Sequence, residues 1–261
     1  MTKRFDEKVV IITGAGAGLG RASALQLAKE GAKLSLVDLN EDGLKETHDL
    51  VLEVAPECET LLITADVSKE DEVKSYVDQT VEKFDKIDGF FNNAGVEGKQ
   101  NLTENYSSDE FKWVLDVNLN GVFYGMHYVL KVMKQQGFGS ILNCASVGGT
   151  RGVGNQSGYA ASKHAVIGLT RNSAIEYGQF NININAIAPG AFMTAMVEGS
   201  LRQMGGDNWE EVGKEFVKPN PMKRFGDPKE LGHAVSYLLS DEAKFVNAEV
   251  LTIDGGQSYK Y

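Results

Sequence analysis

The glycine-rich segment 13–20 constrains the fold of this chain more than any other feature. It reads TGAGAGLG, follows the apolar run VVII at 9–12 and precedes a helix-forming stretch. A strand, a glycine turn and a helix start are thereby joined, and the free N–H groups of such a helix start can bind a pyrophosphate. Gly14 permits the tight turn, Gly18 lets a phosphate approach the backbone, and Gly20 lets the helix pack closely against the strand. Glycine is frequent in this chain, so the pattern is specific only together with its flanking strand and helix.

A carboxylate follows at the end of the next candidate strand. The apolar segment 33–37 leads directly into Asp38. A carboxylate at this point of a βαβ unit can accept hydrogen bonds from ribose hydroxyls, and its charge repels a 2′-phosphate. Alternatively, Asp38 caps the following helix, since Asn40, Glu41 and Asp42 come next. The pattern favours NAD over NADP as the dinucleotide.

Short β-branched runs alternate with longer helix-like stretches along almost the whole chain. The candidate strands cover 9–13, 33–38, 59–64, 89–92, 140–144, 181–187 and 250–253. The candidate helices cover 19–30, 40–54, 69–84, 108–135, 158–178 and 228–239. Strands joined by crossover helices pair in parallel, and continuous apolar strands fit a sheet covered on both faces. We therefore predict an α/β fold: one domain over 1–261, a Rossmann fold whose doubly wound, seven-stranded parallel sheet carries helices on both faces.

Composition excludes several classes of function. The net charge of −10 argues against nonspecific binding of nucleic acid or of an anionic membrane. Cys58 and Cys144 give no disulfide framework and suit a reducing cytoplasm. The N-terminus lacks the apolar core of a signal peptide, and no run reaches membrane-spanning length. The four histidines are far apart and lack the spacing of metal ligands, so we predict no metal site.

One long segment breaks the alternation of strands and helices. Residues 190–221 contain a glycine pair, Trp209 and several methionines, and Met222 follows. Insertions of this length are often lids or binding loops, and methionine side chains adapt to apolar ligands. The alternative is a helical hairpin that simply packs against the body. We predict a lid over the substrate at about 190–221.

Four polar residues are candidates for chemistry. Tyr159 and Lys163 share a face of the predicted helix, so the ammonium can lie near the phenol, although an isolated pair of this kind is also typical of an exposed helix. Ser146 follows a strand and so lies at the edge where open α/β sheets bind ligands. Asn118 lies in an apolar helical stretch, where it indicates a helix irregularity or a buried hydrogen bond.

Taken together, these residues resemble the short-chain dehydrogenase/reductase family over essentially the whole chain. The resemblance implies a Tyr159 general acid and base, a Ser146 that binds the substrate oxygen, a Lys163 that binds the nicotinamide ribose, and an Asn118 that holds a relay water. It also implies an NAD(H)-dependent enzyme that interconverts a ketone and a secondary alcohol by hydride transfer. The predicted contacts of the cofactor are Gly14, Gly18, Leu19, Gly20, Asp38, Asp66, Val67, Asn92, Ala94, Gly95, Tyr159, Lys163, Pro189, Gly190 and Thr194.

The substrate is expected to be a cyclic or otherwise apolar ketone. Segments 90–100 and 145–156 are similar to those of a family member that reduces a methylated cyclohexanedione with NADH. The predicted substrate pocket comprises Ser146, Glu97, Val147, Val153, Gln156, Tyr159, Phe192 and Met193, of which all but Ser146 and Tyr159 could equally be packing residues. The alternatives are a 3-oxoacyl thioester reductase, a sugar or polyol dehydrogenase, and a nucleotide sensor without turnover. The resemblance further implies a homotetramer, with contacts through 108–135, 158–178 and the final strand, and a tail 257–261 that reaches a neighbouring subunit.

Overall fold

A single parallel sheet organises the computed structural model, which describes residues 3–259. Within that part of the chain, seven strands pair in the order β3-β2-β1-β4-β5-β6-β7. They are β1 (Val9–Thr13), β2 (Lys33–Asp38), β3 (Thr60–Thr64), β4 (Gly89–Asn92), β5 (Gly139–Cys144), β6 (Ile182–Pro189) and β7 (Val250–Ile253). The predicted α/β fold with a doubly wound, seven-stranded parallel sheet is confirmed.

Helices cover both faces of the sheet because successive side chains of a strand point to opposite faces. Val10 and Ile12 of β1 belong to one apolar core, whereas Ile11 belongs to the other. Helices α1, α2 and α9 contribute to the first core, and α3, α5 and α6 to the second. The helices are α1 (Gly18–Lys29), α2 (Glu41–Val54), α3 (Glu70–Phe84), α4 (Ser108–Leu115), α5 (Gly121–Gln136), α6 (Ser157–Tyr177), α7 (Ala195–Gly205), α8 (Trp209–Val217) and α9 (Pro228–Leu239).

The strand order creates a crevice at the carboxyl edge of the sheet. The chain runs outward from β1 to β3 and then returns to place β4 on the other side of β1. Where the order reverses in this way, the loops that follow the two central strands diverge and leave room for a ligand. The loops after β1, β4, β5 and β6 all begin at this edge, so residues far apart in sequence meet there.

The helix predicted over 108–135 is interrupted. The structure has α4, then a π-helical turn at Asp116–Asn120, then α5. The helix irregularity predicted at Asn118 is thereby confirmed. Strand boundaries differ from those predicted by one or two residues; β6, for example, extends to Pro189 because it pairs with β7 as far as Ile253.

The segment after β6 forms a helical hairpin. Helices α7 and α8 are joined by a short 3₁₀ turn at Gly206–Asn208, and a Cβ atom added to Gly213 would lie 3.2 Å from the Leu201 side chain. The packed hairpin that we held as the alternative to a lid is therefore present. The chain ends in a 3₁₀ turn at Gln257–Tyr259, and Lys260 and Tyr261 of the predicted tail lie outside the described residues.

Candidate active site

The turn after β1 leaves space for a phosphate and an exposed helix start. Gly14 and Gly18 have positive φ angles of 66° and 52°, which favour glycine. A Cβ atom at Gly20 would lie 2.0 Å from the Gly14 carbonyl oxygen, so the helix packs against the turn only without a side chain there. The N-cap, Ala17, offers no side-chain hydrogen bond, and the first turn of α1 has no acidic residue. The first N–H groups of α1 therefore remain available to an anion.

Asp38 lies against this glycine turn. One carboxylate oxygen accepts a hydrogen bond from the Gly16 N–H at 2.8 Å, and the other accepts one from the Asn40 N–H at 2.9 Å. A Cβ atom at Gly16 would lie 3.0 Å from the Asp38 carboxyl group. The expected negative charge is therefore fixed beside the turn, and Asp38 lines the same cleft as Gly14 and Gly18. The helix cap itself is Asn40, whose side chain accepts from Gly43.

Asn93 ties the end of β4 to the glycine turn. Its side-chain amide donates to the carbonyl oxygens of Thr13 at 2.9 Å and Gly14 at 3.3 Å. The cofactor contact predicted at this strand end is the neighbouring residue, Asn92. Asn92 is buried inside the protein, where its amide donates to the Val122 carbonyl at 2.9 Å. The alternation of side chains along β4 was the available signal, since it directs neighbouring residues to opposite sides.

Asp66 and Val67 also lie outside the cleft. The Asp66 carboxylate accepts from the N–H and the hydroxyl of Ser68, which closes the turn after β3. Val67 is buried, and a Cβ atom at Gly121 would meet its carbonyl oxygen at 2.9 Å. The predicted contacts of both residues with the cofactor stay predictions.

All the remaining predicted cofactor residues except Gly20 line one cleft of about 260 Å³. The predicted contact of Gly20 with the cofactor stays a prediction. Gly18 faces Thr194 across this cleft, because a Cβ atom at Gly18 would lie 3.3 Å from the Thr194 side chain. Thr194 is also the N-cap of α7, so the start of the hairpin is fixed beside the glycine turn. The predicted residues in the lining are Gly14, Gly18, Leu19, Asp38, Ala94, Gly95, Ser146, Tyr159, Lys163, Pro189, Gly190, Phe192 and Thr194.

Tyr159 and Lys163 lie one turn apart near the start of α6. The Lys163 ammonium donates to the Cys144 carbonyl at 2.8 Å and lies 5.7 Å from the centroid of the Tyr159 ring. Lys163 is 3% exposed, and burial lowers the pKa of its ammonium below the usual value. The carboxyl end of β5 thus holds the amine in place beside the phenol.

Ser146 converges on the same point from the end of β5. It is buried, and its hydroxyl accepts from the Gly148 N–H at 3.0 Å. A Cβ atom at Gly148 would lie 3.4 Å from the Tyr159 ring and 3.5 Å from the Ser146 hydroxyl. Burial raises the pKa of Tyr159 above its usual value, and a hydrogen bond with Ser146 opposes that effect in part. The phenol is therefore neutral at physiological pH and can donate a proton.

Asn118 joins the π-helical turn to the loop after β4. Its side-chain oxygen accepts from the Val96 N–H at 2.8 Å, and its amide donates to the Val96 carbonyl at 2.8 Å and to Ser162 at 3.1 Å. A Cβ atom at Gly95 would lie 3.0 Å from the Asn118 oxygen and 3.3 Å from the Lys163 ammonium. The buried hydrogen bonds predicted at Asn118 are present. Because its side-chain amide is occupied by protein partners, the relay water stays a prediction.

A second cavity, of about 380 Å³, meets the cleft at Ser146 and Tyr159. Besides Ser146 and Tyr159, four further predicted pocket residues line it: Glu97, Val147, Val153 and Gln156. Its apolar wall comes mainly from five side chains of the hairpin: Met196, Val197, Leu201, Met204 and Phe216. These five residues are not among the predicted substrate contacts. The methionine content of the segment indicates an apolar wall, but it does not show that Met196 and Met204, rather than Met193, line this cavity.

Phe192 and Met193 do not line this second cavity. Phe192 is 4% exposed, packs in an apolar core and contributes only to the first cleft. Met193 lies outside both linings and is 38% exposed. The chain turns toward Gly226 here, with a β-bridge from Phe192 and a 3.3 Å hydrogen bond from the Met193 N–H. The predicted substrate contacts of Phe192 and Met193 stay predictions.

Glu97 carries a carboxyl group into the second cavity. One of its oxygens accepts hydrogen bonds from Ser200 at 2.8 Å, from Gln100 at 3.1 Å and from Gln156. Burial raises the pKa of Glu97, against the effect of these three donors. Because Ser200 belongs to α7, the network also joins the hairpin to the loop after β4.

Residues 3–259 contain no group of three or more His, Cys, Asp or Glu side chains that could hold a metal ion. None of the helices in this range has the length and apolarity needed to cross a bilayer.

The arrangement suits proton transfer to an oxygen held between two hydroxyl groups. A carbonyl placed where the two cavities meet would lie beside Tyr159 and Ser146, with the glycine turn and the α1 start at the far end of the cleft. The glycine turn and the start of α1 fit a dinucleotide. Side chains at the turn glycines would fill the space there, and no acidic residue in the first turn of α1 neutralises the positive end of that helix. The site can therefore combine a dinucleotide with an apolar carbonyl compound.

Comparison with known proteins assigns the family. The family model described as enoyl-(acyl carrier protein) reductase matches residues 14–258. Levodione reductase of Leifsonia aquatica is 57% identical over 100% of this chain and 97% of that protein. Its crystal structure matches with a TM-score of 0.98, covering 98% of this chain and 100% of that one. The similarity to a diketone-reducing member seen in the sequence is thus confirmed.

More distant relatives share the same length and fold. Cyclohexanol dehydrogenase of Acinetobacter sp. (strain SE19) is 37% identical over 100% of this chain and 98% of that protein. The crystal structure of NAD⁺-bound xylitol dehydrogenase matches with a TM-score of 0.93 at 35% identity, covering 97% of this chain and 100% of that one. By these matches the chain belongs to the short-chain dehydrogenase/reductase family, and it is an oxidoreductase that interconverts a ketone and a secondary alcohol.

Proposed function

We propose that this protein reduces a cyclic, largely apolar ketone with NADH and catalyses the reverse oxidation with NAD⁺. The observation that carries the proposal is the position of Ser146 and Tyr159 at the junction of the two cavities. One cavity ends at the glycine turn, and the other has an apolar wall. The names of two relatives, levodione reductase and cyclohexanol dehydrogenase, support a six-membered carbocycle as the substrate.

Each residue of the site has a distinct role in this proposal. Tyr159 donates a proton to the carbonyl oxygen during reduction and accepts it back during oxidation. Ser146 donates a hydrogen bond to the same oxygen and stabilises the negative charge that develops there. Lys163 holds the nicotinamide ribose, and Asn118 holds the water that returns the proton to Tyr159. When bound, the nicotinamide supplies or accepts the hydride.

The electrostatics favour the reductive role of Tyr159. A proton donor must be neutral before it acts, and burial keeps the Tyr159 phenol neutral by raising its pKa. The Lys163 ammonium contacts a carbonyl oxygen and lies near the ring rather than pairing with another charge. Its positive charge is therefore free to stabilise the phenolate that remains after proton transfer.

We expect the two directions of the reaction to depend differently on pH. Because burial raises the Tyr159 pKa, the donor form persists and kcat/KM for reduction should be nearly constant between about pH 6 and 9. Oxidation needs the phenolate, so its kcat/KM should rise with pH, by up to about tenfold per unit. Initial rates in both directions across this range test the expectation; an oxidation rate independent of pH would contradict it.

Asp38 supports NAD over NADP as the cofactor. Its carboxylate is fixed by Gly16 and Asn40 beside the glycine turn, where a 2′-phosphate would meet a negative charge. We expect Asp38→Asn to reduce the preference for NADH over NADPH, as the ratio of kcat/KM values, by about 10- to 100-fold. Asp42→Asn is the matched control, since Asp42 is exposed on the next helix. An unchanged preference in Asp38→Asn would contradict the assignment.

A substrate panel tests the proposed function. Purified protein is assayed with NADH against a cyclic diketone, cyclohexanone and an acetoacetyl thioester, and with NAD⁺ against cyclohexanol and several polyols. We expect the carbocycles to give the highest kcat/KM. Preference for the thioester or for a polyol would identify the alternative substrate class, and tight NADH binding without any turnover would indicate a sensor.

The hairpin, the assembly and the compartment complete the proposal. Residues 190–221 act as a lid, because α7 and α8 provide most of the apolar wall of the substrate cavity.

One domain over 1–261 assembles as a homotetramer, supported by exposed apolar side chains on α5 and α6 such as Phe123 and Ile175. A monomer in light scattering would contradict this. Two free cysteines support a cytoplasmic location.

A further inference from the structure

The substrate cavity contains a cationic side chain that the proposed chemistry does not use. Arg151 lies just after the 3₁₀ turn Val147–Gly149, and its backbone N–H donates to the Val147 carbonyl at 3.2 Å. It lines the second cavity but not the cofactor cleft. Ser146 and Tyr159 line both cavities, so Arg151 belongs to the part of the pocket away from the cofactor.

Within residues 3–259, the Arg151 side chain forms no hydrogen bond and no ion pair within 4 Å, although its charge acts on Asp254. Its Nε atom is buried there without a hydrogen bond, and it is the only such atom in that range that belongs to a charged side chain. Four of the other five arginines form ion pairs within 4 Å: Arg4 with Glu30, Arg21 with Glu46, Arg202 with Glu198 and Arg224 with Glu230. A buried N–H donor left unpaired costs stability, so a donor of this kind in a cavity is expected to meet a ligand.

The buried carboxylate of Asp254 is already occupied by backbone donors. Asp254 accepts hydrogen bonds from the N–H groups of Gly256 at 2.8 Å and Ser258 at 2.6 Å, and these form the C-terminal turn. Burial raises the pKa of Asp254, but these hydrogen bonds and the charge of Arg151 lower it overall. The turn places Gln257 in the lining of the same cavity. Asp254 thus holds the C-terminal turn and forms no ion pair within 4 Å with Arg151.

We propose that Arg151 binds a second acceptor oxygen of the substrate, remote from the carbonyl that reacts at Tyr159. The inference rests on the proposed function and refines its substrate class to ketones that carry another carbonyl or a carboxylate. Arginine is suited to this task because its N–H donors form a rigid, permanently charged fork. Glu97 lines the same cavity, whose described lining combines one cationic and one acidic side chain with apolar and neutral polar residues.

The test compares three six-membered ketones in steady-state assays with NADH. Cyclohexanone has one oxygen, cyclohexane-1,4-dione adds a neutral carbonyl, and 4-oxocyclohexanecarboxylate adds an anion. We expect the wild type to favour at least one bifunctional ketone over cyclohexanone by about tenfold or more in kcat/KM. In Arg151→Met that advantage should disappear, while kcat/KM for cyclohexanone changes less than about twofold. Which bifunctional ketone loses more identifies the oxygen as neutral or anionic.

Control variants separate recognition from structure. Arg151→Lys retains the charge and should keep more of the advantage than Arg151→Met; equal loss in both would overturn the proposal. Arg171→Met, on an exposed position of α6, should change none of the three rates. An equal fall for all three ketones in Arg151→Met, or a wild type without any advantage, would also overturn it. If the wild type reduces none of the ketones, the proposed function itself fails, which is a different outcome.

Discussion

Tyr159→Phe should lower kcat for ketone reduction by about 10²–10⁴-fold, the usual contribution of a positioned general acid. The substitution removes only the hydroxyl, and the ring still fills its half-buried position in α6. Among residues 3–259, no other phenol lines either cavity. We therefore expect a large effect on kcat, with NADH affinity and thermal midpoint close to those of the wild type. Stopped-flow reduction rates and NADH fluorescence titration provide the two measurements.

The control for this variant is Tyr237→Phe. Tyr237 lies on α9, is 40% exposed and belongs to neither cavity lining. Its replacement should leave kcat within about twofold of the wild type. If Tyr159→Phe kept more than a few per cent of kcat while correctly folded, Tyr159 would not be the proton donor. A similar loss in Tyr237→Phe would instead indicate a general effect on stability.

Ser146→Ala should lower kcat by about 10²-fold, as expected when one donor to a developing oxyanion is removed. The Ser146 hydroxyl accepts a hydrogen bond from the Gly148 N–H, and its hydrogen bond with Tyr159 lowers the pKa of that phenol. Loss of the hydrogen bond with Tyr159 should shift the rise of the oxidation rate toward higher pH. The pH profile of oxidation therefore distinguishes the loss of a hydrogen bond from a simple loss of shape.

Ser173→Ala is the matched control for Ser146→Ala. Ser173 is a buried serine on α6 that lines neither cavity. It should affect stability only, with no change in kcat or in the pH profile. An Ser146→Ala variant with wild-type kcat would show that another group binds the substrate oxygen.

The sheet was predictable from the sequence because its signals are local. Each strand is a short apolar run bounded by polar or turn-forming residues, and each crossover helix is long enough to show its own pattern. The boundaries shifted only where pairing decides them, as at the end of β6, which continues as far as β7 can pair with it. The position of Ser146 at this edge followed from the direction of parallel strands, whereas Tyr159 and Lys163 were paired by their helical spacing and joined to the site through the family resemblance.

What the sequence could not specify depends on contacts between distant residues. The π-helical turn at Asn118 arises where its amide binds the backbone of Val96, 22 residues earlier in the chain. A local pattern shows that Asn118 is unusual but cannot show its partner. The same holds for Arg151, whose sequence neighbours give no sign that its charge faces the substrate cavity.

The hairpin was the least predictable part. Its methionines indicated an apolar surface, but which of them faces the cavity depends on the angle at which α7 leaves the body. That angle is fixed by the Thr194 cap and by the network from Ser200 to Glu97. Met196 and Met204 consequently face the cavity, and Met193 does not.

The most direct test of the central claim is a crystal structure of the protein with NAD⁺ and cyclohexanol. The account predicts that the alcohol oxygen lies within about 2.6–3.2 Å of both the Tyr159 and Ser146 hydroxyls, with its ring in the cavity beneath α7. An alcohol bound with its oxygen away from Tyr159, in a correctly folded complex with the cofactor in the cleft, would contradict it.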